Sequence, residues 1–164
     1  MLHDFHPKAA RIADGLRARG EKIAVADGAT GGLIAASLLT VPGALEFYVG
    51  GGVVYSLRAR DVLFDLPACA YDGMRSVTED YALLQARAIR DRLGADWGLA
   101  ESGSAGASRH PMGVASGRSI AAIAGPDGDW TAGIETGSED RIANMTAFTH
   151  NALDLAVRVL ATEA

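Results

Sequence analysis

The chain has 164 residues, 49% hydrophobic and 21% charged, enough to bury a core and within the size of one compact domain, expected here to span 1–164. A net charge of −5 without any Lys/Arg-dense run argues against nucleic acid as a partner, because neutralising phosphates needs a concentrated basic face. A single cysteine excludes an internal disulfide, the apolar runs fall short of the ~20 residues a bilayer requires, and no basic-then-apolar leader opens the chain, so the expected compartment is the cytoplasm.

Ile12 and Leu16, one turn apart among alanines, predict an opening helix over Pro7 to Arg19, with Pro7 at its first position and Gly20 at its exit. Lys22 to Ala26 predicts a short strand that empties into the small-residue loop Asp27, Gly28, Ala29, Thr30, Gly31, Gly32. A helix over Leu33 to Thr40 follows, stopped by Val41-Pro42-Gly43. Phe47 to Tyr55 predicts a strand whose glycine run, Gly50 to Gly52, marks a bulge or a close backbone approach. Ser56 is a cap for a short helix through Leu63. Ser76 and Glu79 have capping-box spacing ahead of a helix carrying Tyr81, Leu84, Ala88 and Leu93, closed by Gly94. Trp97 to Ala100 predicts a strand running into a second small-residue loop, Ser102 to Ser108. Ile120 to Ala124 and Trp130 to Glu135 flank the hairpin turn Pro126-Asp127-Gly128-Asp129, and Met145, Phe148, Ala152, Leu155 and Val159 step as a long amphipathic helix. The order α-β-α-β-α-α-β-β-β-α predicts an α/β fold: a three-layer α/β/α sandwich with a mixed sheet and no repeat.

In open α/β sheets ligands collect beyond the carboxyl ends of strands, where loops lead into helix N-termini with unpaired N–H groups. Asp27 to Gly32 fits that description: its glycines let backbone amides approach an anion, and Thr30 adds a hydroxyl. Close packing of strand on helix explains the same glycines equally well.

The wider string is more specific. Asp27 to Gly32 followed by Leu33-Ile34-Ala35, then Leu39-Thr40-Val41-Pro42-Gly43-Ala44, then Phe47 to Ser56, then Glu101-Ser102-Gly103-Ser104-Ala105-Gly106, then Pro111-Met112-Gly113, together resemble, in order and over nearly the whole chain, the CinA C-terminal domain family of nicotinamide-nucleotide amidohydrolases. The resemblance implies hydrolysis of the carboxamide of nicotinamide mononucleotide to the acid and ammonia, without metal or other cofactor, by a homo-oligomer. The family's first motif reads Glu-Ser-x-Thr-Gly-Gly, with the serine as nucleophile. Gly28 stands at that serine here, and a glycine has nothing that can attack an amide carbon. Arg60 stands where the family places a lysine that can take up the serine proton, and a guanidinium stays protonated at ordinary pH.

Three groups remain as candidates for catalysis: Thr30, Ser102 (at the Thr/Ser of the family's second glycine-rich motif) and the phenol of Tyr55. The plainer reading makes Thr30 and Ser102 loop hydroxyls bonded to main chain, and Tyr55 a strand-end packing residue. For binding, the candidates are Asp27, Gly28, Gly31 and Gly32 in the first loop, Gly103 and Gly106 in the second, and Arg60, or Arg58, for a phosphate. The stretch Ala107 to Met112 departs from the family pattern; His110 within it is a ligand contact or simply exposed. His3 and His6 do not by themselves make a metal site, and no metal is assigned. Cys69, without a basic neighbour to activate it, reads as a packing residue. The expected partner is a small nucleotide or amide, with two functions in view: a CinA-like amidohydrolase domain with weakened or lost activity, or a non-catalytic nucleotide-binding or assembly module.

Overall fold

The computed structural model describes residues 1–161. Helix α1 (Leu2–Arg19) leads into strand β1 (Ile23–Asp27), helix α2 (Leu33–Leu39), strand β2 (Tyr48–Val53), helix α3 (Leu57–Phe64), helix α4 (Glu79–Leu93), strand β3 (Trp97–Ser104), the hairpin β4 (Arg118–Gly125) and β5 (Gly128–Glu135), and helix α5 (Arg141–Leu160). The strands form one sheet in the order β2-β1-β3-β4-β5, parallel across the first three and antiparallel across the last three. The predicted order of helices and strands is the observed one, with short 3-10 turns added at Ala44–Glu46 and Ala68–Tyr71.

The two faces of the sheet are built from different residues, because successive strand side chains point to opposite sides. Ile23, Val25, Leu99 and Ile123 meet α1, α2 and α5, whose Phe5, Ile12, Leu16, Ile34, Phe148 and Leu155 complete a bulky core. The opposite face carries Ala24, Ala26, Ala100, Ala122 and Ala124 and receives α4 through Ala82, Ala86 and Ile89. Small side chains on both partners bring α4 close to the sheet. At Gly98 even a Cβ would collide with the main-chain oxygen of Ala86.

Four local expectations are corrected. Helix α1 starts at Leu2, with Pro7 inside it, because Phe5 is fully buried and packs edge-on against His150 at 4.7 Å, so tertiary packing holds the additional turn. Ser76 is not a cap: Val77 takes a left-handed φ of 59°, and α4 begins after Thr78. Strand β3 extends through Ser104, because Ser102, Gly103 and Ser104 pair with Ile120, Ser119 and Arg118. Cys69 is exposed rather than packed. The glycine run behaves as predicted: the register of β2 against β1 slips between Ile23 and Ala24, and a Cβ on Gly51 would collide with the Val25 main chain.

Candidate functional site

β1 and β3 pair only over Ile23–Ala26 and Trp97–Ala100. Past that point β1 turns away into α2 while β3 runs on, and the connections from β1 and β2 lead to opposite faces of the sheet. That divergence is a topological switch point, the crevice where open α/β sheets hold ligands. A cleft of about 380 Å³ opens there, walled by the residue 28–29 turn, Val54 to Leu57, the cleft side of α4, the end of β3 and the 105–112 loop.

Of the residues singled out from sequence, Gly28, Tyr55, Ser102, Gly103 and Gly106 line this cleft. Asp27, Thr30, Gly31, Gly32 and Arg60 do not. Thr30 and Asp27 lie beneath it, fully buried, with the Thr30 hydroxyl donating to Asp27 Oδ1 at 2.6 Å. Gly31 and Gly32, at φ 66° and 99°, turn the chain into α2. Arg60 donates to Asp61 Oδ1 from Nε and Nη2 at 3.0 and 2.9 Å and lies 3.5 Å above the Tyr71 ring. Its charge is engaged by Asp61 and the Tyr71 ring, and it is not part of the cleft wall.

The expected cradle of free amides in the first loop is also corrected. Thr30 N–H donates to Glu101 Oε2 at 3.0 Å, Gly31 N–H to the Gly28 carbonyl at 3.1 Å, and Ile34 and Ala35 N–H to the Asp27 carboxyl at 3.0 and 3.2 Å. The chain fills its own anion site with two side-chain carboxyls. Glu101, fully buried, also accepts from the Ser119 hydroxyl at 2.6 Å. Burial without a paired cation pushes both carboxyls above their usual range, and for Glu101 the charge of Asp27 adds to that. The Thr30 hydroxyl has one proton, and the short bond to Asp27 uses it. Its 3.2 Å approach to Glu101 Oε2 is the longer and weaker of its two contacts.

Cationic groups missed in the sequence line the cleft instead. Arg109 and Arg141 both do so, and neither has an ion-pair partner among the described residues. Arg141 opens α5 immediately after Asp140, which caps that helix by accepting from Ile142 and Ala143 N–H, and its guanidinium lies over Gly106, where a Cβ would collide with it. The glycine at 106 thus makes room for the arginine. His110 is kept below its ordinary pKa by burial, and its Nδ1 accepts the Met112 N–H at 3.1 Å, so it enters the cleft neutral. Glu101 is the one acidic residue in the cleft wall among the described residues, and burial raises its pKa above the ordinary carboxyl value. Ser102 Oγ accepts the Val77 N–H at 3.0 Å, which leaves its own proton without a protein acceptor among the described residues. No group of three or more His, Cys, Asp or Glu among the described residues is placed to hold a metal, and none of the described helices is long and apolar enough to cross a membrane.

The sequence matches the family model of the CinA C-terminal domain over residues 6–160. The chain belongs to that family. A CinA-like protein of Prochlorococcus marinus is 35% identical over 125 residues, 76% of this chain and 29% of that protein. A CinA-like protein of Anaeromyxobacter dehalogenans is 35% identical over 145 residues, 87% of this chain and 36% of that protein. The chain thus spans about a third of these curated relatives. Among solved structures, a CinA superfamily protein from Klebsiella pneumoniae superposes with a TM-score of 0.85 at 26% identity, covering 95% of this chain and 97% of its own. One from Enterobacter cloacae gives 0.86 at 25% identity, covering 96% and 92%. The mixed five-stranded sheet with five helices is the fold of this superfamily.

Proposed function

We propose that this CinA-like domain binds a small phosphorylated nucleotide in the cleft at the β1–β3 divergence, and that its hydrolysis of the nicotinamide mononucleotide amide is weak or lost. The observation that carries the reading is the pair of unpartnered arginines, Arg109 and Arg141, beside neutral polar groups in a cleft of nucleotide scale. Gly28 at the position of the family serine, and Arg60 engaged with Asp61 and Tyr71, leave no activated nucleophile in the arrangement. The unpaired outer edge of β2 and the exposed Leu57, Val62 and Leu63 of α3 favour self-association into a homo-oligomer.

Calorimetric titration with nicotinamide mononucleotide tests the reading. Binding is expected, weakened about tenfold or more by Arg141→Ala or Arg109→Ala through loss of a charge-assisted contact. At 100 times its dissociation constant the nucleotide stabilises the fold by about 2.7 kcal/mol, which raises the melting temperature by roughly 5–10 °C in a chain of this size. Ammonia release is expected to stay near the rate without protein. Absence of binding, or turnover by the unaltered chain at a rate typical of enzymes, overturns the proposal.

A further inference from the structure

We propose that Gln85 selects, within the cleft, a ligand group that presents a hydrogen-bond donor and an acceptor side by side, as a carboxamide does; the assignment rests on the reading of the cleft as a site for a phosphorylated small molecule. The buried stripe of α4 comprises Tyr81, Ala82, Gln85, Ala86, Ala88 and Ile89, and Gln85 is its one side chain with two polar ends. Gln85 is 3% exposed and lines the cleft one helical turn from Tyr81. Among the described residues its amide has no hydrogen-bond partner. It is also absent from the sealed, unpaired polar atoms, which are Tyr71 Oη and Ser116 Oγ, so the open side of the amide is the cleft.

A leucine at this position would extend the apolar stripe and remove an unpaired amide from the interior, so the glutamine costs stability in the empty domain. A flat ligand group with its own N–H and C=O would pair both ends of the Gln85 amide at once. A carboxylate offers only acceptors and sets one of them against the Gln85 carbonyl. The unspent Ser102 proton supplies a further donor in the same cleft, and Arg109 and Arg141 would hold the anionic end. Gln85 therefore sets a preference for amide over acid, separate from the affinity supplied by the arginines.

The test compares nicotinamide mononucleotide with nicotinate mononucleotide, the same molecule bearing a carboxylate, on the unaltered chain and on Gln85→Leu. The unaltered chain is expected to bind the amide at least about tenfold more tightly. In Gln85→Leu that preference disappears while affinity for the acid is retained, and the melting temperature of the free domain does not fall. Equal affinity for the two nucleotides, or a preference that survives in Gln85→Leu, overturns the role of Gln85 and leaves nucleotide binding standing. Failure of both nucleotides to bind the unaltered chain overturns both readings.

Discussion

Raising the pH from about 4 towards neutrality is expected to lower the melting temperature of this domain, opposite to the common behaviour of proteins whose carboxylates are ion-paired. Asp27 and Glu101 are buried without a paired cation and keep protons to higher pH in the fold than in the unfolded chain, where they ionise near 3.8 and 4.5. The folded state therefore binds more protons above those values. Stability is fully present below them and declines as pH rises through the folded-state pKa values. Each retained proton contributes a slope of up to about 1.4 kcal/mol per pH unit, or roughly 3–5 °C per unit for a chain of this length. Glu101→Gln keeps the shape and an acceptor but cannot ionise, so its melting temperature should fall less steeply with pH. The comparison isolates Glu101 from His110 and His150, whose lowered pKa values act in the opposite sense as pH rises towards 6.5. Scanning calorimetry of both proteins between pH 4 and 8 checks this; identical slopes for the two proteins would show that Glu101 is already ionised in the fold.

Gly28→Ser is expected to destabilise the fold without creating an amidase, even though it restores the family residue. A Cβ at position 28 would collide with the main-chain oxygen of Glu101 and lie 3.1 Å from Glu101 Oε2. The obstacle is a strand backbone, which cannot swing aside as a side-chain tip can. Overpacking of this kind costs about 1–3 kcal/mol, or roughly 2–12 °C in melting temperature. Gly28→Ala should show the same loss, since the collision precedes any hydroxyl. Adding Arg60→Lys should leave ammonia release at background, because the neighbourhood of Asp61 and Tyr71 holds whatever cation stands at 60. A Gly28→Ser protein that melts like its parent and releases ammonia would overturn the steric argument.

The fold was legible where signals are local. Gly20 and Gly94 end their helices in left-handed conformation, Ser56 caps α3 by accepting the Ala59 N–H, and Pro126-Asp127 turns the β4–β5 hairpin. Contacts between distant parts of the chain were not legible. Ser102 to Ser104 look like loop until β4 supplies their partners, and Phe5 lies ahead of the predicted helix until α5 covers it. The Thr30 amide looked free because the carboxyl that takes it lies 71 residues further along the chain, whereas those of Ile34 and Ala35 are taken by Asp27 at the start of the same loop. Arg109 and Arg141 belong to separate segments that only the fold brings to one cleft. Gln85 did leave a trace, as a polar interruption of an otherwise apolar stripe.

The alanine-paved side of the sheet acts as a spacer for the helix above it. Because α4 carries Tyr81 and Gln85 into the cleft, its height over Ala24, Ala26, Ala100 and Ala122 sets how far those side chains reach. One added methyl under the helix would lift that wall and widen the opening, so the calibre of the pocket is governed by residues that no guest molecule would ever touch.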